Sequence, residues 1–322
     1  MKSWNLSETQ PQFERIRRLP DESVPKNLLI LLVLAFGYWL CAQLGMVIVL
    51  ITANIFTRIS GTSLQELSET PGFFTLELFL TLCSIAVAAL ICKLIERRTF
   101  RTMGITKHRC LPDYAVGMVT GFAMFSAVIG MAHAAGAVRV SEGVTEERNL
   151  PLMLLMFAGW MIQGFSEEFS FRGFMMMSAG THHKPWTAIL FSSVLFGAAH
   201  IGNTGSTLTG VLNVALFGVV MSLYMLRTDS IWGPAALHTV WNWAQGSFFG
   251  LKVSGLDVRQ SVLHFEQVKG HEWMNGGTFG LEGGLGTTII LVVAAAVLFF
   301  LIPQRTADYP KYDDTASPQN EA

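Results

Sequence analysis

The stretch LPLMLLMFAGWMIQGFSEEFSFRGFMMMS, Leu150–Ser178, decides the class of fold. A helix needs roughly 20 apolar residues to cross a bilayer core, and this run exceeds that length. Its middle nevertheless carries Glu167, Glu168 and Arg172. An ionisable group at the centre of a span costs about 2.5–3.5 kcal/mol on insertion scales and marks function by default. Composition identifies the solvent. Half of the chain is hydrophobic (51%) and only 14% is charged, against about 25% charged in a typical soluble domain. A mean hydropathy of +0.43 agrees with a chain that lives largely in lipid.

Working outward from this segment, apolar runs of spanning length or close to it occur at Leu28–Ile55, Phe73–Ile95, Tyr114–Val138, Leu150–Ser178, Trp186–Ile201, Leu208–Leu226, Ile231–Phe249 and Leu285–Ile302. The expected fold is therefore all-α, a polytopic bundle of about eight transmembrane helices. It divides into a cytoplasmic segment over 1–27, a helical domain over 28–303 and a disordered cytoplasmic tail over 304–322. Positive charge stays on the cytoplasmic side. With the N-terminus inside, fifteen lysines and arginines fall on inner segments and six on outer ones, with Arg172 left inside a span. That bias predicts an even number of spans, both termini in the cytoplasm and a multi-pass protein of the cell (inner) membrane. Residues 1–27 hold no short apolar run ending in a small-residue cleavage site, so the first span is expected to stay.

Several function classes drop out. No basic stripe with interleaved aromatics marks a nucleic-acid surface. Cys41, Cys83, Cys92 and Cys110 lack the paired spacing of a zinc ribbon or a disulfide framework. No internal repeat suggests an inverted-repeat transporter, which weighs against a proton relay built from the same Glu and His residues. Gly117 and Gly121 form a GxxxG in the third span, a pattern that permits close helix approach and says little about function alone.

The polar residues concentrate in three spans. The fourth carries Gln163-Gly-Phe-Ser-Glu167-Glu168 and Arg172, the fifth ends Phe196-Gly-Ala-Ala-His200, and the seventh carries His238-Thr-Val-Trp-Asn242. The fourth and fifth spans form a hairpin turning near His182-His183-Lys184. Glu167 precedes the turn by about as many residues as His200 follows it, so both lie about 20–25 Å along from the turn. Counted from a second turn near Asp229, His238 is roughly 13 Å and Asn242 roughly 20 Å along the seventh span. Residues four apart share a helix face. One carboxylate, two imidazoles and an amide are thus expected to meet in a cavity open to the cytoplasmic side. Adjacent residues on a helix point apart, so Glu168 is assigned to Arg172, an i, i+4 pair in the favourable order, and Glu167 is left free to act. His133, His264 and His271 have no partner at motif spacing, and His182-His183 reads as a loop.

Glu167-Glu168-xxx-Arg172, Phe196-xxx-His200 and His238-xxx-Asn242, in this order on successive helices, resemble the three motifs of the CPBP (Abi) intramembrane proteases, which include the type II CAAX prenyl endopeptidases. Arg101-Thr-Met-Gly-Ile105 also resembles the family, extending the similar core to about 101–250. The resemblance implies a glutamate-dependent intramembrane endopeptidase acting on a peptide or membrane-protein substrate. In it Glu167 and His200 activate water, His238 and Asn242 form the oxyanion hole, and Glu168, Arg172 and Phe196 support the site. No cofactor is implied. Glu167, His200 and His238 also read as a possible His₂Glu zinc site with an open position for water, which leaves a zinc-dependent version of the protease as an alternative. A non-catalytic membrane scaffold or bacteriocin immunity protein is the other alternative.

Overall fold

A computed structural model describes residues 6, 8, 10–20, 22–141, 149–258 and 260–305. The tail expected to be disordered lies, past residue 305, outside the described residues. Each of the eight apolar runs forms helix. A short amphipathic helix, α1 (Pro11–Arg17), precedes the first run, which is split at Gln43 into α2 (Leu28–Ala42) and α3 (Leu44–Ser60). After the capped turn α4 (Leu64–Ser68), the second run is likewise jointed at Thr81, giving α5 (Pro71–Leu80) and α6 (Leu82–Leu90). The remaining helices are α7 (Cys110–Ala134), α8 (Leu150–Glu168), α9 (Met177–His182), α10 (Pro185–Ala199), α11 (Leu208–Thr228), α12 (Trp232–Trp243), the single turn α13 (Glu272–Asn275) and α14 (Leu285–Phe300). Starts follow the local chemistry. Asn27, Thr70, Asn149 and Thr207 each accept a hydrogen bond from a backbone N–H of the first turn, and prolines stand at the openings of α5, α8 and α10.

Among the described residues, five helical stretches, Leu28–Ser60, Pro71–Ile95, Cys110–Ala134, Leu150–His182 and Leu208–Thr228, are long and apolar enough to cross a membrane, and Pro185–Ala199 and Leu285–Phe300 are shorter apolar helices. Large apolar side chains stand exposed along α2 and α3, Ile59 at 82% and Leu29 at 68% among them. A belt of this size exceeds what a water-soluble surface carries. The protein is a multi-pass membrane protein with an all-α architecture. One departure is a two-stranded antiparallel pair, β1 (Val138–Val140) with β2 (Phe265–Gln267), in register Val138↔Gln267.

The helix that carries His238 and Asn242 sits at the centre because glycines admit it. A Cβ at Gly117 would lie 2.2 Å from the Gly233 carbonyl oxygen, and one at Gly121 would lie 2.5 Å from that of Leu237. The GxxxG of α7 is therefore the seat of α12. On the other side, a Cβ at Gly164 of α8 would come within 2.8 Å of the Thr239 backbone nitrogen. Three notches clamp α12 between α7 and α8, next to His238.

Candidate active site

Just past Glu168 the helical repeat widens to a π-helical run, Phe169–Met176, before tightening again in α9. Such insertions gather at functional sites. Here the wide turn carries Arg172 back against Glu168 with both side chains fully buried. Arg172 Nη1 lies 3.2 Å from Glu168 Oε1, and its guanidinium sits 4.5 Å from the centre of the Phe196 ring. None of its nitrogens has a hydrogen-bond acceptor among the described residues.

Glu168 does more than offset Arg172. Its Oε1 is 2.8 Å from Nδ1 of His238. A carboxylate accepts, so His238 Nδ1 carries the proton and donates it. The other ring nitrogen, Nε2, faces Glu167 Oε2 at 3.4 Å. One imidazole is thus gripped from both edges by adjacent glutamates. For the Nε2 contact to be attractive, a proton must lie on one side, on the ring or on the Glu167 carboxyl. Phe217 and Phe196 close on the ring edge-to-face, at 4.9 and 5.9 Å between centroids. His238 is only 4% exposed, while the Glu167 side chain keeps 28% of its surface open to the cavity.

His200 ends α10 and folds its ring back onto its own helix, Nδ1 lying 2.9 Å from the Phe196 carbonyl oxygen. A carbonyl only accepts, so Nδ1 holds the hydrogen and Nε2 presents a lone pair. Phe196 stands 4.9 Å edge-to-face from this ring and also contacts Arg172 and His238, so it is the wall between the two histidines. Asn242 donates from Nδ2 to Gln163 Oε1 at 3.0 Å, which fixes its amide.

Glu167, His200, His238 and Asn242 all line one cavity of about 410 Å³. The structure therefore brings the four expected residues together, with a different closest pairing. Glu167 makes its direct contact with His238, not with His200, because the glycine notch at Gly164 draws α8 onto α12 more closely than the hairpin turn draws it onto α10. Glu168, expected to serve Arg172, serves His238 as well. Three further residues had drawn no expectation. Gln163 lies one turn before Glu167, a spacing that places it on the same face. Tyr38 of α2 donates to Ser170 Oγ at 2.6 Å, and Glu282 enters from the loop before α14. Glu282 is buried; burial pushes its carboxyl above the ordinary carboxylate range, against the pull of its Ser254 hydrogen bonds and of the nearby His200 and His238.

The cavity draws on Val253, Ser254, Leu256 and Glu282 of the segment between α12 and α14, and on no residue of the His182–Lys184 turn. Its loop-covered end thus lies away from that turn. Two of the other histidines have local partners: His133 with the Val138 carbonyl, and His182 with Glu22 and the Val24 carbonyl. Among the described residues, no three His, Cys, Asp or Glu side chains form a group able to hold a metal ion. Glu167, His200 and His238 share the cavity without converging as a ligand set.

Residues 149–244 match the family model of type II CAAX prenyl endopeptidases, Rce1-like. This segment, about 30% of the chain, is similar to the CAAX protease (CPBP) family. The match spans α8 to the start of the turn after α12, so it takes in Glu167, Glu168, Arg172, Phe196, His200, His238 and Asn242. The stretch Arg101–Ile105 lies outside it, as do Tyr38 and Glu282. No curated protein and no solved structure matches the chain. The matched segment thus supplies the three motif helices, and Tyr38, Val253, Ser254 and Glu282 of the cavity wall come from outside it.

Proposed function

We propose that the protein is an intramembrane endopeptidase that hydrolyses a peptide bond of a peptide or membrane-protein segment with a glutamate-activated water. The observation that carries this reading is the double grip on His238: Glu168 at Nδ1 and Glu167 at Nε2, at the edge of a cavity also lined by His200 and Asn242. A scaffold has no need of two glutamates, one fully buried and one facing the cavity, on one imidazole.

In the reaction, a water sits between the Glu167 carboxylate and the lone pair of His200 Nε2. Glu167 takes one proton as the water oxygen bonds to the peptide carbonyl carbon. The carbonyl oxygen becomes an oxyanion, and it accepts from His238 Nε2–H and Asn242 Nδ2–H. Preorganised donors of this kind contribute about 3–4 kcal/mol each in other hydrolases. Glu168 and Arg172 hold the His238 ring, and Gln163 holds the Asn242 amide. When the C–N bond breaks, the proton on Glu167 passes to the leaving amine, giving a carboxylic acid and an amine. No step is routed through a metal. We propose that both termini lie in the cytoplasm and the chain sits in the cell membrane.

Membranes carrying the wild-type protein or Glu167→Gln, compared by mass spectrometry of new peptide N-termini, test this reading. Wild type is expected to generate termini that the variant lacks. Equal sets from both would overturn it. Cleavage by purified protein is expected to persist in EDTA; loss on chelation and recovery with zinc would replace it with the zinc-dependent version.

A further inference from the structure

A third carboxylate reaches the cavity from outside the CAAX-protease segment, and its anchoring is one-sided. Glu282 Oε2 accepts from the Ser254 backbone N–H at 2.6 Å and from Ser254 Oγ at 2.7 Å. Oε1 has no hydrogen-bond partner among the described residues, although the side chain is 8% exposed and lines the cavity. The backbone that carries it is tied down equally well. Asn213 of α11 donates from Nδ2 to the carbonyls of Glu282 and Gly284, at 2.8 and 3.1 Å, and its Oδ1 accepts from Thr288. Thr287 donates to the Leu281 carbonyl at 2.7 Å. Gly284 approaches Met274 so closely that a Cβ would lie 1.9 Å from its carbonyl oxygen. Oε1 is thus open to the cavity with no donor among the described residues on it, and a carboxylate oxygen held in place by this many contacts is available to a donor that enters the cavity.

The nature of the donor follows from the rest of the wall. Glu167 and Glu282 line the cavity and no lysine or arginine does; the Arg172 guanidinium is committed to Glu168 and packed on Phe196. Even with His238 charged, the lining favours positive charge. Tyr38, Trp39, Trp160 and Trp241 supply aromatic surface to the same space, and ring faces attract guanidinium and ammonium groups. A basic side chain combines an apolar stem with a cationic head, matching an aromatic wall that ends in a carboxylate.

We propose that Glu282 is a specificity-determining residue that receives an arginine or lysine side chain of the peptide substrate beside the scissile bond. This rests on the endopeptidase reading for its place in a reaction, but its test does not require cleavage. The full chain carrying Glu167→Gln, in lipid nanodiscs, is titrated by fluorescence anisotropy with three labelled leucine-rich hexapeptides that differ only in one central arginine, citrulline or norleucine. The arginine peptide is expected to bind about tenfold tighter than the citrulline one, equivalent to about 1.4 kcal/mol. Adding Glu282→Gln, which keeps an oxygen for Ser254, is expected to erase that preference and leave citrulline and norleucine binding unchanged. Glu282→Asp, which keeps the charge, is expected to retain part of it. An arginine peptide that binds no tighter than citrulline, or a preference that survives Glu282→Gln, overturns the proposal. Arginine preference through Glu282 in a protein that cleaves nothing would keep this assignment and remove the protease reading instead.

Discussion

Two buried arginines on neighbouring stretches of the bundle lead different lives. Arg98, in the chain after α6, pairs with Glu96 at 2.9 Å, both fully buried, and also donates to Ser178 Oγ at 2.6 Å and to the carbonyls of Gly173 and Phe174. Ser178 in turn donates to Glu96. Arg172, immediately before the stretch of helix that Arg98 grips, has a single carboxylate at 3.2 Å, an aromatic ring, and no hydrogen bond among the described residues. A buried ion pair is tolerable when its remaining donors are satisfied. The Arg98 cluster comes close to that condition, with Arg98 Nε and Glu96 Oε1 alone in it lacking a partner among the described residues, and it fastens the end of the helix at Gly173–Ser178. The Arg172 cluster does not, and its carboxylate is shared with His238. The difference separates an ion pair that fastens a helix from one that borders the candidate site.

The sharpest way to break this comparison is to make the same substitution in both. Arg98→Gln leaves Glu96 buried with no counter-charge and is expected to cost about 3–5 kcal/mol of stability, seen as a large fall in the thermal unfolding midpoint and in yield. Arg172→Gln is expected to cost less, about 1–3 kcal/mol, because His238 can carry the compensating proton for Glu168. Its main effect is expected on turnover per folded molecule, which Arg98→Gln leaves unchanged wherever the variant folds. Equal destabilisation by both would erase the distinction. Below these in size comes Gln163→Ala, which frees the Asn242 amide. The net worth of one such hydrogen bond is about 1 kcal/mol, so peptide turnover is expected to drop about five- to tenfold with the unfolding midpoint nearly fixed. Smallest is Tyr38→Phe, which removes one hydroxyl partner of Ser170 and is expected to change turnover less than Gln163→Ala does.

The helices were legible from the apolar runs, because a span announces itself by length and composition. The site was legible as a set: Glu167, His200, His238 and Asn242 stand out as polar residues where lipid-facing chain should have none, and they do share a cavity. Their pairing was not. Equal distance from a hairpin turn gives depth along an axis but not which neighbour a helix leans on, and Gly164 against Thr239 sets that instead. The second role of Glu168 was hidden because an i, i+4 partner on its own helix already accounted for it. The joints at Gln43 and Thr81 carry no glycine or proline to announce them. Glu282 was out of reach for a different reason. It sits in a segment with no periodicity, and its position depends on Asn213, Ser254 and Thr287, each far away or unremarkable in sequence. Strands of three residues, β1 and β2, are likewise too short to show alternation.

The central claim is that Glu167, held against His238 in this cavity, activates the water. Purified wild-type protein and Glu167→Gln, each reconstituted in liposomes and matched for thermal unfolding, are incubated with the arginine-containing hexapeptide and with digested membrane-protein fragments, and new termini are counted by mass spectrometry. Loss of a positioned general base lowers rates by about 10²- to 10⁴-fold, so the wild type is expected to yield cleavage products and the variant essentially none. Products formed at the same rate by both proteins would contradict the account.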